Sequence, residues 1–208
     1  MPLVIPPAPA QSIDVLRAAV PLMVGGPLLA RVAPRLSAAA SEPRVAASIS
    51  PAQSYKLYTL GLSDLATAAA NGFRAAVLSG WRHILVSNQE VVSADVSVDS
   101  TGTSYQFASL RADPSAAAVQ TEIAALGQDP ALANVSYEVS LLQIPALGVR
   151  AIWLHDASGK VSDILVPVAP VRSELVAGRR YSPAQFAAAL TDATAKILAN
   201  DDPKKGSG

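Results

Sequence analysis

The chain contains no cysteine and only two histidines among its 208 residues. Without cysteine it has no disulfide, no thiolate nucleophile and no thiolate metal ligand. A metal site needs three or four ligands at matched distances, and two histidines alone do not supply them. We therefore predict no metal site and no cofactor, and we expect the stability of the fold to come from packing.

Net charge is also lacking, because the 16 Lys and Arg residues equal the 16 Asp and Glu residues in number. A protein that binds nucleic acid usually presents a basic face that neutralises several phosphates. The balance of charge therefore predicts that nucleic acid is not a partner. A chain without self-repulsion can stay in solution by burying surface in an assembly, which favours another protein or a second copy as the partner.

No hydrophobic run is long enough to cross a bilayer. The longest uncharged apolar stretch, residues 18–30, is interrupted by Pro21, Gly25, Gly26 and Pro27. A membrane-spanning helix needs about 20 apolar residues in succession. We predict no transmembrane segment, and we expect a cytoplasmic protein because the surroundings of this stretch do not match a secretory signal either.

Hydrophobic residues make up 50% of the sequence and fall largely into strand-like runs. Three runs between residues 135 and 168 are rich in Val, Ile, Leu, Tyr and Trp and are separated by short breaks that contain Gly or Pro. This pattern predicts an antiparallel meander, and a second group of runs lies between residues 55 and 110. The predicted strands are 55–60, 81–86, 91–99, 105–110, 135–144, 149–156 and 161–168.

Two of these runs also predict which side chains are buried. The run 135–144 is apolar on both faces at its end, so it needs cover on both sides there. The run 91–99 alternates strictly, and its polar members should face water. The strand carboxylates of Asp95, Glu138 and Asp163 are accordingly interpreted as solvated.

Helical spacing predicts an α-hairpin near the N-terminus. Ser12 can cap a helix over 13–24, and Pro27 fits the first turn of a second helix over 27–36. Such a hairpin cannot bury its apolar stripe alone, so it should dock on the domain or on another subunit. Residues 1–44 are accordingly interpreted as a docking or assembly segment. The predicted interface residues are Ile13, Leu16, Val20, Leu28, Val32 and Leu36.

Three further helices are predicted from start and stop signals. One covers 63–71, and one covers 114–127, where Pro114 favours the first turn and Gly127 ends the helix. The last helix opens at a capping box formed by Ser182 and Gln185.

Strands and helices do not alternate regularly along the chain, which argues against a parallel doubly wound sheet. We predict an α+β fold in which an antiparallel sheet, built from the strand groups at 55–110 and 135–168, packs against helices. The α+β domain should cover residues 55–200, with the N-terminal α-hairpin before it and a flexible tail over 201–208.

Each histidine follows a tryptophan by two residues, in Trp81-x-His83 and Trp153-x-His155. Within a strand, the Trp and the His of each pair would share a face. If the two strands are neighbours, the histidines approach each other near Asp156 and could form an acid–base pair or part of a metal site. The alternative is a pair of half-buried imidazoles that bond to backbone or water.

Three functions follow from these patterns. The first is a non-catalytic interaction or assembly protein. The second is a small-molecule-binding domain that encloses a pocket for an apolar ligand. The third is an enzyme that uses His83 or His155, although the sequence has no Gly-x-Ser-x-Gly elbow and no Gly-rich phosphate loop, so no catalytic residue is assigned. The residues assigned to a ligand pocket are Trp81, His83, Tyr105, Phe107, Trp153 and His155.

Overall fold

The computed structural model describes residues 3–24, 51–71, 73–87, 90–112, 114–156, 158–171 and 174–200. The predicted helix over 27–36, with Leu28, Val32 and Leu36, lies outside these residues, and so does the predicted tail over 201–208.

Within the described residues the chain forms one mixed sheet and four α-helices. The strands are β1 (Leu3–Val4), β2 (Gln53–Thr59), β3 (Val77–Ser87), β4 (Glu90–Val98), β5 (Tyr105–Arg111), β6 (Tyr137–Ile144), β7 (Val149–His155) and β8 (Ile164–Pro167). The helices are α1 (Ala10–Val24), α2 (Leu62–Asn71), α3 (Pro114–Gly127) and α4 (Pro183–Asn200). None of these helices is both long and apolar enough to cross a membrane.

The order of strands across the sheet is β5-β4-β3-β2-β6-β7-β8, and β1 also pairs with β6. The predicted antiparallel sheet is confirmed within each strand group, but the sheet as a whole is mixed, because β6 runs parallel to both β2 and β1. Between β5 and β6 the chain crosses one face of the sheet as α3. A crossover of this kind allows a strand to enter the sheet in the same direction as its neighbour.

Helices cover both faces of the sheet, as the doubly apolar end of β6 predicts. Alternate residues of β6 point in opposite directions, so Leu141 packs with α3 on the first face and Leu142 packs with α4 on the second face. On the first face, α3 contributes Val119 and Ile123 to the core. On the second face, α2 and α4 cover the β6–β8 end, and α1 covers the β3–β5 end.

The described N-terminal residues, 3–24, pack on this same core. Leu3 and Val4 extend the sheet beside β6. Leu16 and Val20, which were expected at an interface, are fully buried against Leu85 and other side chains of β3 and β4. Ile13 lies next to them and is partly buried.

A buried ion pair explains why the solvated interpretation of Asp95 is wrong. Asp95 lies directly opposite Arg82 in the β3–β4 pairing. The Arg82 Nε and Nη2 atoms donate to Asp95 Oδ1 and Oδ2 at 2.7 and 2.9 Å, and the Ser109 hydroxyl donates to Oδ2 at 3.3 Å. A bidentate contact of this kind replaces the hydrogen bonds to water that the carboxylate loses on burial.

His83 links three elements inside the protein. It is fully buried on β3, and its Nε2 atom lies 2.8 Å from the Ser12 hydroxyl on α1. Its Nδ1 atom lies 2.8 Å from the Ser54 hydroxyl on β2. Burial lowers the pKa of His83 from 6.5 to about 4, although the charge of Asp95 acts in the opposite direction. The imidazole is therefore neutral in the folded protein near pH 7.

We predict that this histidine makes the protein less stable in mild acid. In the unfolded chain the imidazole takes up a proton below about pH 6.5, while the folded protein resists protonation until about pH 4. The unfolding free energy should therefore fall over this interval, by up to about 3 kcal/mol from His83 alone. Urea denaturation at a series of pH values measures this loss.

The matched control is His83→Gln, which keeps one donor and one acceptor for the two serines but does not titrate. Its unfolding free energy should depend less on pH than that of the wild type between about pH 6.5 and about pH 4. Equal pH dependence of the two proteins would contradict the assignment.

Candidate functional site

A cleft of about 640 Å³ lies at one end of the second face. It is formed by β7, by the loop that leads into β8, by the residues that follow α2, and by the start of α4. The residues that line it are Phe73, Arg74, Trp153, His155, Asp156, Gly159, Val161, Ser162, Asp163 and Pro183.

The indole of Trp153 forms the apolar wall of the cleft and is held on several sides. Tyr58 and Phe73 contact it edge to face, with ring centroids 5.1 and 6.5 Å away. Its Nε1 atom donates to Asp163 Oδ2 at 2.9 Å. Because the indole is 8% exposed and its one polar atom is bonded, its position is set before any ligand arrives.

His155 lies at the rim of the cleft and is paired with Asp163. The His155 Nδ1 atom is 2.9 Å from Asp163 Oδ1, and the imidazole lies edge to face with Trp153 at 5.7 Å. An ionised carboxylate only accepts hydrogen bonds, so Nδ1 carries the proton and Nε2 of the neutral ring carries a lone pair. The His155 side chain is 49% exposed, so this lone pair is within reach of solvent.

Asp156 shapes the loop beside the cleft. The sequence suggested that it lies beside a histidine pair, but its carboxylate bonds within its own loop. Its carboxylate accepts hydrogen bonds from the hydroxyl and backbone N–H of Ser158 and from the backbone N–H groups of Lys160 and Val161. These bonds, with the Ser158 hydroxyl first, lower the pKa of Asp156 to about 2. The closed loop also explains why β8 begins at Ile164 and not near residue 161 as predicted.

Arg74 gives the cleft a positive charge. Its side chain is exposed, and no ion pair of Arg74 is found within the described ranges. The two carboxylates of the cleft, by contrast, are engaged by donors from the protein. Arg74 is therefore the charged group of the cleft lining that can pair with a negative group of a ligand.

Of the six predicted pocket residues, only Trp153 and His155 line this cleft. Trp81 and His83 lie on β3, which β2 and β6 separate from β7. With neighbouring strands about 4.8 Å apart, the two histidine-bearing strands are about 14 Å apart, so the predicted approach of His83 to His155 is wrong. Tyr105 and Phe107 lie on the edge strand β5 and pack towards α1. The four aromatic residues therefore do not line a common pocket.

Sequence reasoning missed Phe73, Arg74 and the role of Asp163. Asp163 was interpreted as a solvated strand carboxylate, but the β7–β8 hairpin turns it back onto the Trp153-x-His155 pair. A carboxylate a few residues after a Trp-x-His strand, on the far side of a turn, was an available signal. Phe73 and Arg74 follow the end of α2, and no local pattern connects them to β7. In the described part of the chain, no group of three or more potential ligands could hold a metal ion.

We predict that the two histidines differ sharply in reactivity. Diethyl pyrocarbonate acylates the unprotonated nitrogen of an accessible imidazole, so His155 should react and buried His83 should be protected while the protein is folded. Mass spectrometry of peptides after brief treatment measures this difference. His155→Gln should remove the fast reaction, and rapid labelling of His83 would contradict the structure.

In comparisons with protein-family models, with curated proteins and with solved structures, nothing matches this chain. A function has to be inferred from the chain's own residues.

Proposed function

We propose that this protein binds a small organic anion with a planar, apolar portion in the cleft between β7, α2 and α4. The observation that carries the proposal is the combination, in one concave site, of a fixed indole wall with a guanidinium that has no ion pair among the described residues. Trp153 offers the apolar contact, and Arg74 offers the positive charge. This refines the small-molecule-binding function that the sequence suggested for an apolar ligand.

The size and rigidity of the cleft support binding of a small molecule. Pockets for small ligands generally measure about 300–1,000 Å³ and combine apolar walls with a few oriented polar groups. Here the volume is about 640 Å³, and the hydrogen bonds of Asp163 and Asp156 hold two sides of the site in place. A ligand that enters a site fixed in this way loses little of its binding energy to the ordering of side chains.

Arg74 supports an anionic ligand, because the two carboxylates of the cleft already accept hydrogen bonds from the protein. Asp163 is occupied by His155 and by the Trp153 indole, and Asp156 is occupied by backbone donors of its own loop. A carboxylate in the ligand can form a charge-assisted, two-pronged hydrogen bond with a guanidinium such as that of Arg74.

We predict that 4-hydroxybenzoate, a planar aromatic carboxylate, binds in the cleft. Arg74→Gln should weaken this binding about tenfold. A hydrogen bond to a charged group contributes about 1.5–3 kcal/mol, and screening of Arg74 by water places the loss at the lower end. Isothermal titration calorimetry measures the dissociation constants. The matched control is Arg111→Gln, which removes an exposed arginine from β5, far from the cleft. Equal losses in both variants, or no binding by the wild type, would contradict the proposal.

Tryptophan fluorescence gives a second measure of the same binding event. The chain has two tryptophans, and only Trp153 lines the cleft. Quenching by the ligand should persist in Trp81→Phe and disappear in Trp153→Phe. Quenching that depends on Trp81 would place the ligand elsewhere.

Assembly, the first function suggested by the sequence, is kept as a second candidate because β5 forms an edge of the sheet. In the described part of the chain, β5 pairs only with β4, so its outer side can accept a strand from another protein or a second copy. The buried residues Leu16 and Val20 do not contribute to such a contact.

We predict that, if assembly through β5 occurs, light scattering after size exclusion gives a mass that is a multiple of 21.3 kDa. The mass should fall to that of one chain on dilution, because dilution shifts the equilibrium towards separate chains. A single-chain mass at every concentration would contradict assembly of copies.

A further inference from the structure

We infer that the cleft also hydrolyses carboxylic esters that carry a separate anionic group of the kind it binds. In this reaction His155 is the general base that activates a water molecule. This inference rests on the proposed function, since the substrate must first occupy the cleft.

The arrangement of Asp163 around His155 is what general-base catalysis requires. The carboxylate bonds to Nδ1, fixes the tautomer and leaves the Nε2 lone pair for a reacting proton. Asp163 is itself oriented by the Trp153 indole at 2.9 Å and by the backbone N–H of Asp156 at 3.4 Å. The imidazole, its carboxylate and the donors that hold the carboxylate therefore form a connected set, in which each member is positioned by the next.

The other histidine of the chain shows what a purely structural imidazole looks like in this fold. Both ring nitrogens of His83 lie 2.8 Å from serine hydroxyls, and the residue is fully buried. His155 has one nitrogen bonded and an exposed second edge at the rim of the cleft. Only His155 is placed to accept a proton from water.

The reaction balances without a cofactor or a second substrate other than water. His155 Nε2 takes a proton from water as the water oxygen attacks the ester carbonyl carbon. The bond between that carbon and the leaving oxygen then breaks, and the leaving oxygen takes the proton from Nε2. The products are a carboxylic acid and an alcohol or phenol, and His155 returns to its starting state. Arg74 holds the anionic group of the substrate during these steps.

The test uses 4-acetoxybenzoate, which carries a carboxylate for Arg74 and an aryl acetate as the reacting ester. Its hydrolysis product is 4-hydroxybenzoate, and absorbance records its formation. The wild type should turn over this probe faster than buffer alone. His155→Gln should lower kcat/KM by at least about a hundredfold, the lower end of the contribution of a general base. It should leave the dissociation constant of 4-hydroxybenzoate within about threefold of the wild-type value.

His83→Gln is the matched control, because it removes the other histidine far from the cleft and should leave kcat/KM unchanged. A pH profile separates catalysis from a structural role. In the wild type kcat/KM should rise with pH through a single ionisation, and this dependence should be absent from His155→Gln.

Asp163 acts here as a positioning residue, and Asp163→Asn tests that role. The amide of asparagine can donate to Nδ1, which favours the tautomer with the proton on Nε2 and removes the lone pair. The variant should therefore lose turnover mainly in kcat, while its thermal unfolding and its binding of 4-hydroxybenzoate show that the cleft remains intact.

The outcomes distinguish this inference from the function on which it rests. Binding of 4-hydroxybenzoate without turnover of 4-acetoxybenzoate, or equal turnover by wild type and His155→Gln, overturns catalysis and leaves the binding function standing. Failure of the wild type to bind 4-hydroxybenzoate overturns both. Turnover that depends on His155 and Asp163 but not on His83 supports both.

Discussion

The parallel pairing of β2 with β6 is the contact on which the rest of the structure depends, since it joins two antiparallel strand groups into one sheet. Polar side chains bridge this joint. Lys56 Nζ donates to Glu138 at 2.7 Å, and the Gln143 side-chain amide donates to the Thr59 hydroxyl at 2.9 Å. Because the joint lies in the middle of the sheet, the end of β6 is buried on both faces and needs helices on both sides. The crossover helix α3 supplies one cover, and the helices that flank the strand groups supply the other.

A chain with few charged residues and no net charge uses its buried ionisable groups in pairs across neighbouring strands. Arg82 meets Asp95 between β3 and β4, and each satisfies the other where water is excluded. His83 follows the same rule without charge, since burial keeps it neutral between two serines. Buried polar groups cost stability unless they are bonded, so these contacts fix the register of β3 against its neighbours and the position of α1 on the sheet. The cleft is the one place among those described above where a cation and an imidazole edge are left facing solvent.

Features decided by local sequence could be predicted, and features decided by distant partners could not. The capping box of α4 is confirmed by the reciprocal bonds between Ser182 and Gln185, and the predicted bounds of α3 match those observed. Burial of Asp95 was missed because alternation assigns its face but does not reveal that Arg82 lies opposite. The parallel joint was missed because nothing near β2 or β6 in sequence specifies that they pair. Because the sequence did not specify the strand order, the two Trp-x-His pairs were predicted to lie on neighbouring strands. For the same reason, Phe73 and Arg74 were not predicted to line the site.

Asp163 connects the stability of the β7–β8 hairpin with the geometry of the cleft. One of its oxygens satisfies the Trp153 indole, which is too buried to bond freely with water, and the other orients His155. Removal of the carboxylate would leave the indole N–H without its acceptor, at a cost of about 1–3 kcal/mol, and would release the imidazole at the same time. The position of His155 is therefore determined by the folding of the hairpin and does not require a ligand. A site that is set by folding in this way can bind and react without first changing shape, which is the condition that both binding of a rigid anion and proton transfer from water require.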